Sequence, residues 1–397
     1  MTGVRRRHVF YIPGYDPIPP RRYRELYRRE AAAQAAVSGH EISLRPMRGG
    51  ARFGWEVAAR IEGQAVEARI EVLVWSDIVK GSMAQGILAT YGQLVRTAAV
   101  YIGSGALFRL MRLRKGPVIA ALYPVAVLLG QLALALLAAW GLGRGLALWH
   151  PWAAWAGIAV VPLVLEGFRR LDGRFFAYYL MHDYAFSARY LGANPPELEA
   201  RLAAFGEAIA GALKDDVDEV LVVGHSSGAH LAVSVLADLI AAGRVPEGGP
   251  ALGFLSLGQV VPMVSFLPRA GRLRGDLAYL SAREELFWLD VTAPGDGCAF
   301  ALCDPVAVSG VAPEGRRWPL VISAAFTQTL SPARWRALRW RFFRLHFQYL
   351  CAFDRPGDYD YFAITAGPKT LAARFAGRAP SPARIERAVS GYRSVAR

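Results

Sequence analysis

Residues 116–143 contain no Asp, Glu, Lys, Arg or His. At about 1.5 Å of rise per residue, a helix of that length exceeds the roughly 30 Å hydrocarbon core of a bilayer. A core helix of a soluble domain needs one apolar stripe, not apolarity on every side. After Arg144, residues 145–165 again carry no charge, His150 being their one ionisable side chain, although Pro151 and Pro162 shorten the run. Two transmembrane helices joined by a tight turn are therefore expected. Arg109, Arg112, Arg114 and Lys115 precede the pair and Arg169, Arg170 and Arg174 follow it, against Arg144 alone at the turn, so both ends should face the cytoplasm. Trp140, Trp149, Trp152 and Trp155 gather at the turn, as an interfacial aromatic belt would.

Composition agrees with that address. The hydrophobic fraction of 54% is high for a soluble globule, and the net charge of +14 sits in arginines beside apolar runs and near the termini. Anionic lipid headgroups fit such a distribution better than nucleic acid, which is not expected as a partner. The N-terminus is basic, but only residues 9–12 form an apolar run before Pro13, too short for a signal-peptide core, so the first strand is expected to stay cytoplasmic. The 3 cysteines, Cys298, Cys303 and Cys351, are odd in number and show no CxxC spacing. They announce neither a disulfide framework nor a zinc site, and no metal or cofactor is expected.

Outside the apolar runs the pattern alternates between strands and helices, which indicates a mainly parallel α/β sheet. Strands are expected at 8–12, 41–46, 53–61, 65–75, 219–223, 252–257 and 286–291, and helices at 21–37, 85–101, 183–191, 196–213 and 229–242. Residues 107–113 continue the amphipathic pattern of 85–101 with arginines interleaved, and should lie in a membrane surface. Residues 269–274 read as a basic loop. The expected layout is one α/β body formed by 1–83 and 169–375, amphipathic helices at 84–115, a hairpin insertion at 116–168, and a basic tail at 376–397 that frays.

The buried run 219–223 ends in Gly224-His225-Ser226-Ser227-Gly228 and leads into an Ala-rich helix. A nucleophilic hydroxyl on a strand-to-helix turn needs small neighbours two residues away on each side, because any side chain there meets the adjoining strand or helix. The turn also aims the Ser227 N–H at the place where an oxyanion would form. These residues, with the Pro13-Gly14-Tyr15 loop after the first strand, resemble the α/β-hydrolase superfamily over 7–77 and about 178–365. The resemblance implies a serine, then an acid, then a histidine in chain order, and a second oxyanion donor for which the Tyr15 N–H is the candidate.

Of the 7 histidines, His8, His40, His150, His182, His225 and His230 precede or adjoin the serine turn, and only His346 lies beyond its helix. His346 is therefore the candidate base, expected beside a strand end. Asp296, just past the strand at 286–291, is the preferred acid; Asp290 within that strand and Asp304 in a Cys-Asp-Pro turn are the alternatives. His225 and His230 flank the serine and are read as packing residues. The acids around 354–360 read as Asx-stabilised turn residues and not as a metal site. The expectation is an integral membrane protein, of the kind found in a bacterial inner membrane, with a serine hydrolase body in the cytoplasm. Its substrate would be a lipophilic acyl ester or thioester met at the bilayer. The same triad can transfer an acyl group to an alcohol, and a non-catalytic scaffold can keep the same fold.

Overall fold

The computed structural model describes residues 3–47, 49, 52–83 and 86–396. Residues 1, 2, 84, 85 and 397, at the edges of ranges read from the sequence, lie outside them. Among the described residues eight strands form one sheet: β1 (Arg6–Ile12), β2 (Glu41–Pro46), β3 (Gly54–Ile61), β4 (Gln64–Val72), β5 (Glu219–His225), β6 (Ala251–Leu257), β7 (Leu286–Thr292) and β8 (Leu320–Ser323). Their order is β2-β3-β4-β1-β5-β6-β7-β8. Only β3 runs against its neighbours; β4, β1, β5, β6, β7 and β8 pair in parallel. The antiparallel edge alternates buried Trp55, Val57, Ala59 and Ile61 with wet residues, whereas β5 is buried throughout.

Side chains two apart share a face. Val9, Tyr11, Leu221, Val223, Leu255 and Leu257 build the core on one face of the sheet. Phe10, Ile12, Val220, Val222, Phe254 and Trp288 build it on the other. At about 25 cal/mol per Å² of apolar surface removed from water, these two layers are the main stabilising term.

The helices used below are α1 (Arg21–Ser38), α2 (Ile87–Gly103), α3 (Lys115–Ala147), α4 (Val160–Arg170), α5 (Ala177–Arg189), α6 (Pro196–Ala212), α7 (Ser227–Ala241), α8 (Gly271–Ser281) and α9 (Phe342–His346). α3 is one unbroken helix, and a 3-10 stretch, Pro151–Ala159, leads into α4. Both arms are long and apolar enough to cross a membrane. Their ends nearest the body are held by protein: Leu128 is buried with Leu94, Ala177, Tyr178 and Met181, Tyr91 Oη donates to the Leu128 carbonyl (2.8 Å), and Tyr123 Oη donates to that of Phe175 (2.8 Å). Beyond Leu128 the helix exposes Leu129, Leu134, Leu136, Leu137 and Trp140, and the second arm exposes Trp152, Trp155, Ile158 and Leu163.

Several local expectations differ from the structure. Residues 107–113 do not lie free: Leu110 and Leu113 are buried against Phe266, Phe300 and Val308, while Phe108, Met111 and Arg112 are exposed. The basic stretch 269–274 is not a loop but leads into α8, because the Arg274 guanidinium is buried and donates to the carbonyls of Ser265, Leu267 and Ser394 at 2.8 Å each. The helix expected at 183–191 begins six residues earlier, at Ala177. The tail does not fray: the Ile385 N–H donates to Leu302 (2.7 Å), and Val389 packs on the Phe300 cluster.

Candidate functional site

β5 delivers Ser226 at the centre of the sheet, and α7 starts at the next residue. Ser226 has φ +58° and ψ −122°, a backbone region that costs a non-glycine residue about 1–3 kcal/mol. Its N–H donates to the Leu257 carbonyl at 2.9 Å, which fixes the turn to the end of β6. The flanking glycines have steric causes. A Cβ on Gly228 would stand 2.1 Å from the Ile12 carbonyl oxygen and 2.7 Å from that of Pro13; one on Gly224 would stand 2.7 Å from the Ala229 Cα. The loop at Gly14 lies directly over the serine, since a Cβ there would be 3.0 Å from the Ser226 Cβ and 3.4 Å from its Oγ.

Ser227 is the first residue of α7, so its N–H has no partner within the helix and lies at the positive end of the helix dipole. Tyr15 adjoins Gly14 and is held from three sides. Its hydroxyl bonds Ser82, its carbonyl accepts from the Tyr179 hydroxyl, and its ring meets Trp75 edge-on at 6.0 Å.

His346 ends α9, a short helix that brings it beside the end of β5, where its carbonyl meets the His225 ring. Its Nδ1 donates to Asp296 Oδ2 at 2.7 Å, which leaves Nε2 free to accept a proton. Asp296 Oδ2 also accepts from the Tyr349 hydroxyl (3.0 Å) and Oδ1 from the Cys298 N–H (2.9 Å). Burial opposes ionisation of Asp296, but the His346 ring and these donors hold its carboxyl below the ordinary range. The His346 ring reaches the serine turn: a Cβ on Gly258, one residue past the Leu257 carbonyl that anchors Ser226, would lie 3.0 Å from His346 Cε1. The structure thus gathers Ser226, Asp296 and His346, with Ser227 and Tyr15 beside them.

The alternative acids have other partners. Asp304 caps a helical turn by accepting from Val306 (3.0 Å) and Ala307 (2.9 Å), and it pairs with Arg316. Asp290 lies inside β7 and accepts from Ser256 across the sheet. Burial pushes the Asp290 carboxyl up to about 8. Because its folded pKa is raised, the folded state holds a proton that the unfolded state gives up, so this group's contribution to stability falls as pH rises from about 4 to about 8. Asp290→Asn is expected to flatten that slope, read as the denaturant midpoint at about pH 5 and pH 8.

Three further residues meet the site, and of these Tyr349 carried no sequence signal. Tyr349 braces Asp296 and receives the Ala293 N–H (3.0 Å). His225 bonds through Nε2 to the His346 carbonyl (3.0 Å), and burial pushes its pKa down to about 3, so the ring is neutral at neutral pH. The Cys298 sulfur lies within 4.8 Å of ligand atoms of Asp296 and His346. That trio does not fit a metal well, because the hydrogen bond from His346 to Asp296 occupies the atoms an ion would need and burial raises the thiol pKa.

The chain matches no family model, no curated protein and no solved structure.

Proposed function

We propose that the chain is a membrane-anchored serine hydrolase of the α/β-hydrolase kind, acting on acyl esters or thioesters of lipophilic molecules. One observation carries this reading: a serine on a strained strand-to-helix turn shares a site with a histidine whose Nδ1 is bound by a buried carboxylate. Asp296 fixes the tautomer, so His346 Nε2 is the base that takes the Ser226 Oγ proton as the oxygen attacks the carbonyl carbon. The N–H groups of Ser227 and Tyr15 receive the tetrahedral oxyanion. Its collapse breaks the bond to the alcohol or thiol, which leaves with the proton from His346; water, activated by the same imidazole, then releases the acid and restores Ser226.

The membrane address is supported by two features. The hairpin exposes apolar side chains over a length sufficient to cross a bilayer. Immediately before His346, residues 334–344 bring Arg334, Arg336, Arg339, Arg341 and Arg344 together with Trp340, 72% exposed, and Phe342, 49% exposed. Phe343 meets Phe176, just beyond the end of the hairpin, with ring centroids 5.1 Å apart. A basic and aromatic collar next to emerging membrane helices suits an anionic leaflet surface, with the body on the cytoplasmic side. The test is turnover of ester and thioester panels of rising chain length by the full chain in phospholipid vesicles. Hydrolysis that is lost in Ser226→Ala is expected; equal turnover by that variant would overturn the assignment.

A further inference from the structure

Gly14 lies over Ser226, and the peptide that follows it carries the Tyr15 N–H. Tyr15 is buried, yet among the described residues its N–H has no acceptor. Buried backbone N–H groups nearly always have one, so a donor held without a partner marks the place of an acceptor that comes from outside the chain. An oxyanion is such an acceptor. The N–H stabilises it most when the group is already in place before the charge develops.

Gly14 cannot supply that order, since a glycine leaves the next peptide free to turn either way. The order comes from the far side of Tyr15. Its ring is held by the Ser82 hydroxyl and packs on Trp75 and Phe186, with centroids 6.0 and 5.7 Å away. Its carbonyl accepts from the Tyr179 hydroxyl. With the ring and the carbonyl both held, tetrahedral geometry at the Tyr15 Cα fixes the nitrogen as well. Burial raises the pKa of the Tyr179 hydroxyl well above its ordinary value, so at neutral pH the group is protonated and donates.

Tyr179 is itself held by the foot of the hairpin. It is the third residue of α5, where the Asp172 carboxylate accepts from the N–H groups of Tyr178 (2.9 Å) and Tyr179 (3.1 Å). The Tyr179 ring also meets that of Phe343, on the helix that carries His346, with centroids 5.9 Å apart. One side chain thus touches the oxyanion loop and the histidine helix from the place where the chain leaves the hairpin.

We propose that Tyr179 is a positioning residue for the reaction: its hydroxyl, standing on the foot of the hairpin, holds Tyr15 so that the Tyr15 N–H is oriented for the oxyanion in advance. The proposal rests on the reading of Ser226 as nucleophile and of the Tyr15 N–H as oxyanion donor. Tyr179 then matters to the transition state and not to the bound substrate, because its bond is to the loop and not to the ligand.

The experiment compares the native protein, Tyr179→Phe and Tyr123→Phe, each as the full chain in phospholipid vesicles. Tyr123→Phe removes a hydroxyl-to-carbonyl bond of the same kind, to Phe175, without touching Tyr15, and so controls for a general loosening of the foot. Exhaustive fluorophosphonate labelling of Ser226 counts the competent sites. Turnover of an acyl ester and inhibition by a trifluoromethyl ketone, whose adduct with a serine carries an oxyanion, are then read per labelled site, so partial misfolding of a variant does not imitate the effect. Tyr179→Phe should lower kcat about tenfold at unchanged KM and weaken the ketone by about the same factor, while Tyr123→Phe should do neither. A lower melting temperature in Tyr179→Phe with kcat per labelled site and ketone inhibition unchanged would make the hydroxyl a packing bond and overturn the proposal. So would a rise in KM alone, a complete loss of labelling in Tyr179→Phe, or an equal fall of kcat in Tyr123→Phe. Absence of labelling in the native protein would fell the nucleophile reading and this proposal with it.

Discussion

Asp296→Asn is expected to lower kcat/KM by a factor on the order of 10⁴, with little change in KM. The buried carboxylate accepts the Nδ1 proton of His346 at 2.7 Å, and this alone decides which imidazole nitrogen faces Ser226. An amide of the same shape can present its NH₂ to Nδ1, and the histidine then keeps its proton on Nε2, where it can no longer receive one from the serine. Tyr349→Phe removes one of the donors to that carboxylate, bonded at 3.0 Å, and should cost far less, about 1 kcal/mol in transition-state stabilisation. Steady-state kinetics on an ester substrate separates the two. A protein in which Asp296→Asn retains native turnover while Asp290→Asn loses it would reassign the acid.

Gly228→Ala should destabilise the body by at least about 3 kcal/mol and abolish labelling of Ser226. The added Cβ would meet backbone oxygens of Ile12 and Pro13 at 2.1 and 2.7 Å, and no flexible side chain is there to move aside. Relief requires shifting the loop that carries Gly14 and Tyr15, so the same collision takes away the oxyanion donor. Gly206→Ala provides the contrast: it lies within α6, nothing stands within 4 Å of its added Cβ, and the substitution should be neutral or slightly stabilising. Thermal unfolding of the two variants in detergent checks the difference.

The sheet was legible wherever local pattern and burial agree. β5 reads as a fully buried strand because it lies at the centre of the sheet, and β3 alternates because one face of the edge is wet. β8 escaped notice because it is four residues long and follows Pro319, too short for a period to register. α8 was hidden by its arginines, since the buried state of Arg274 depends on carbonyls as distant as that of Ser394. The serine turn could be read from the spacing of its glycines, and the histidine from chain order, because local sterics and topology set both. The partners that brace the triad could not. Tyr349 and His225 reach the site only when α9 folds back over the end of β5. No residue near any of them in sequence marks that approach.

The central claim is that Ser226 is an activated nucleophile, and covalent labelling tests it most directly. The full-length protein in phospholipid vesicles is treated with a fluorophosphonate, digested, and the peptide containing residues 224–228 is weighed. The account predicts one phosphonyl adduct on Ser226, absent from Ser226→Ala and strongly slowed in His346→Ala. An unmodified serine in the folded protein, or equal labelling of Ser226→Ala, would contradict it.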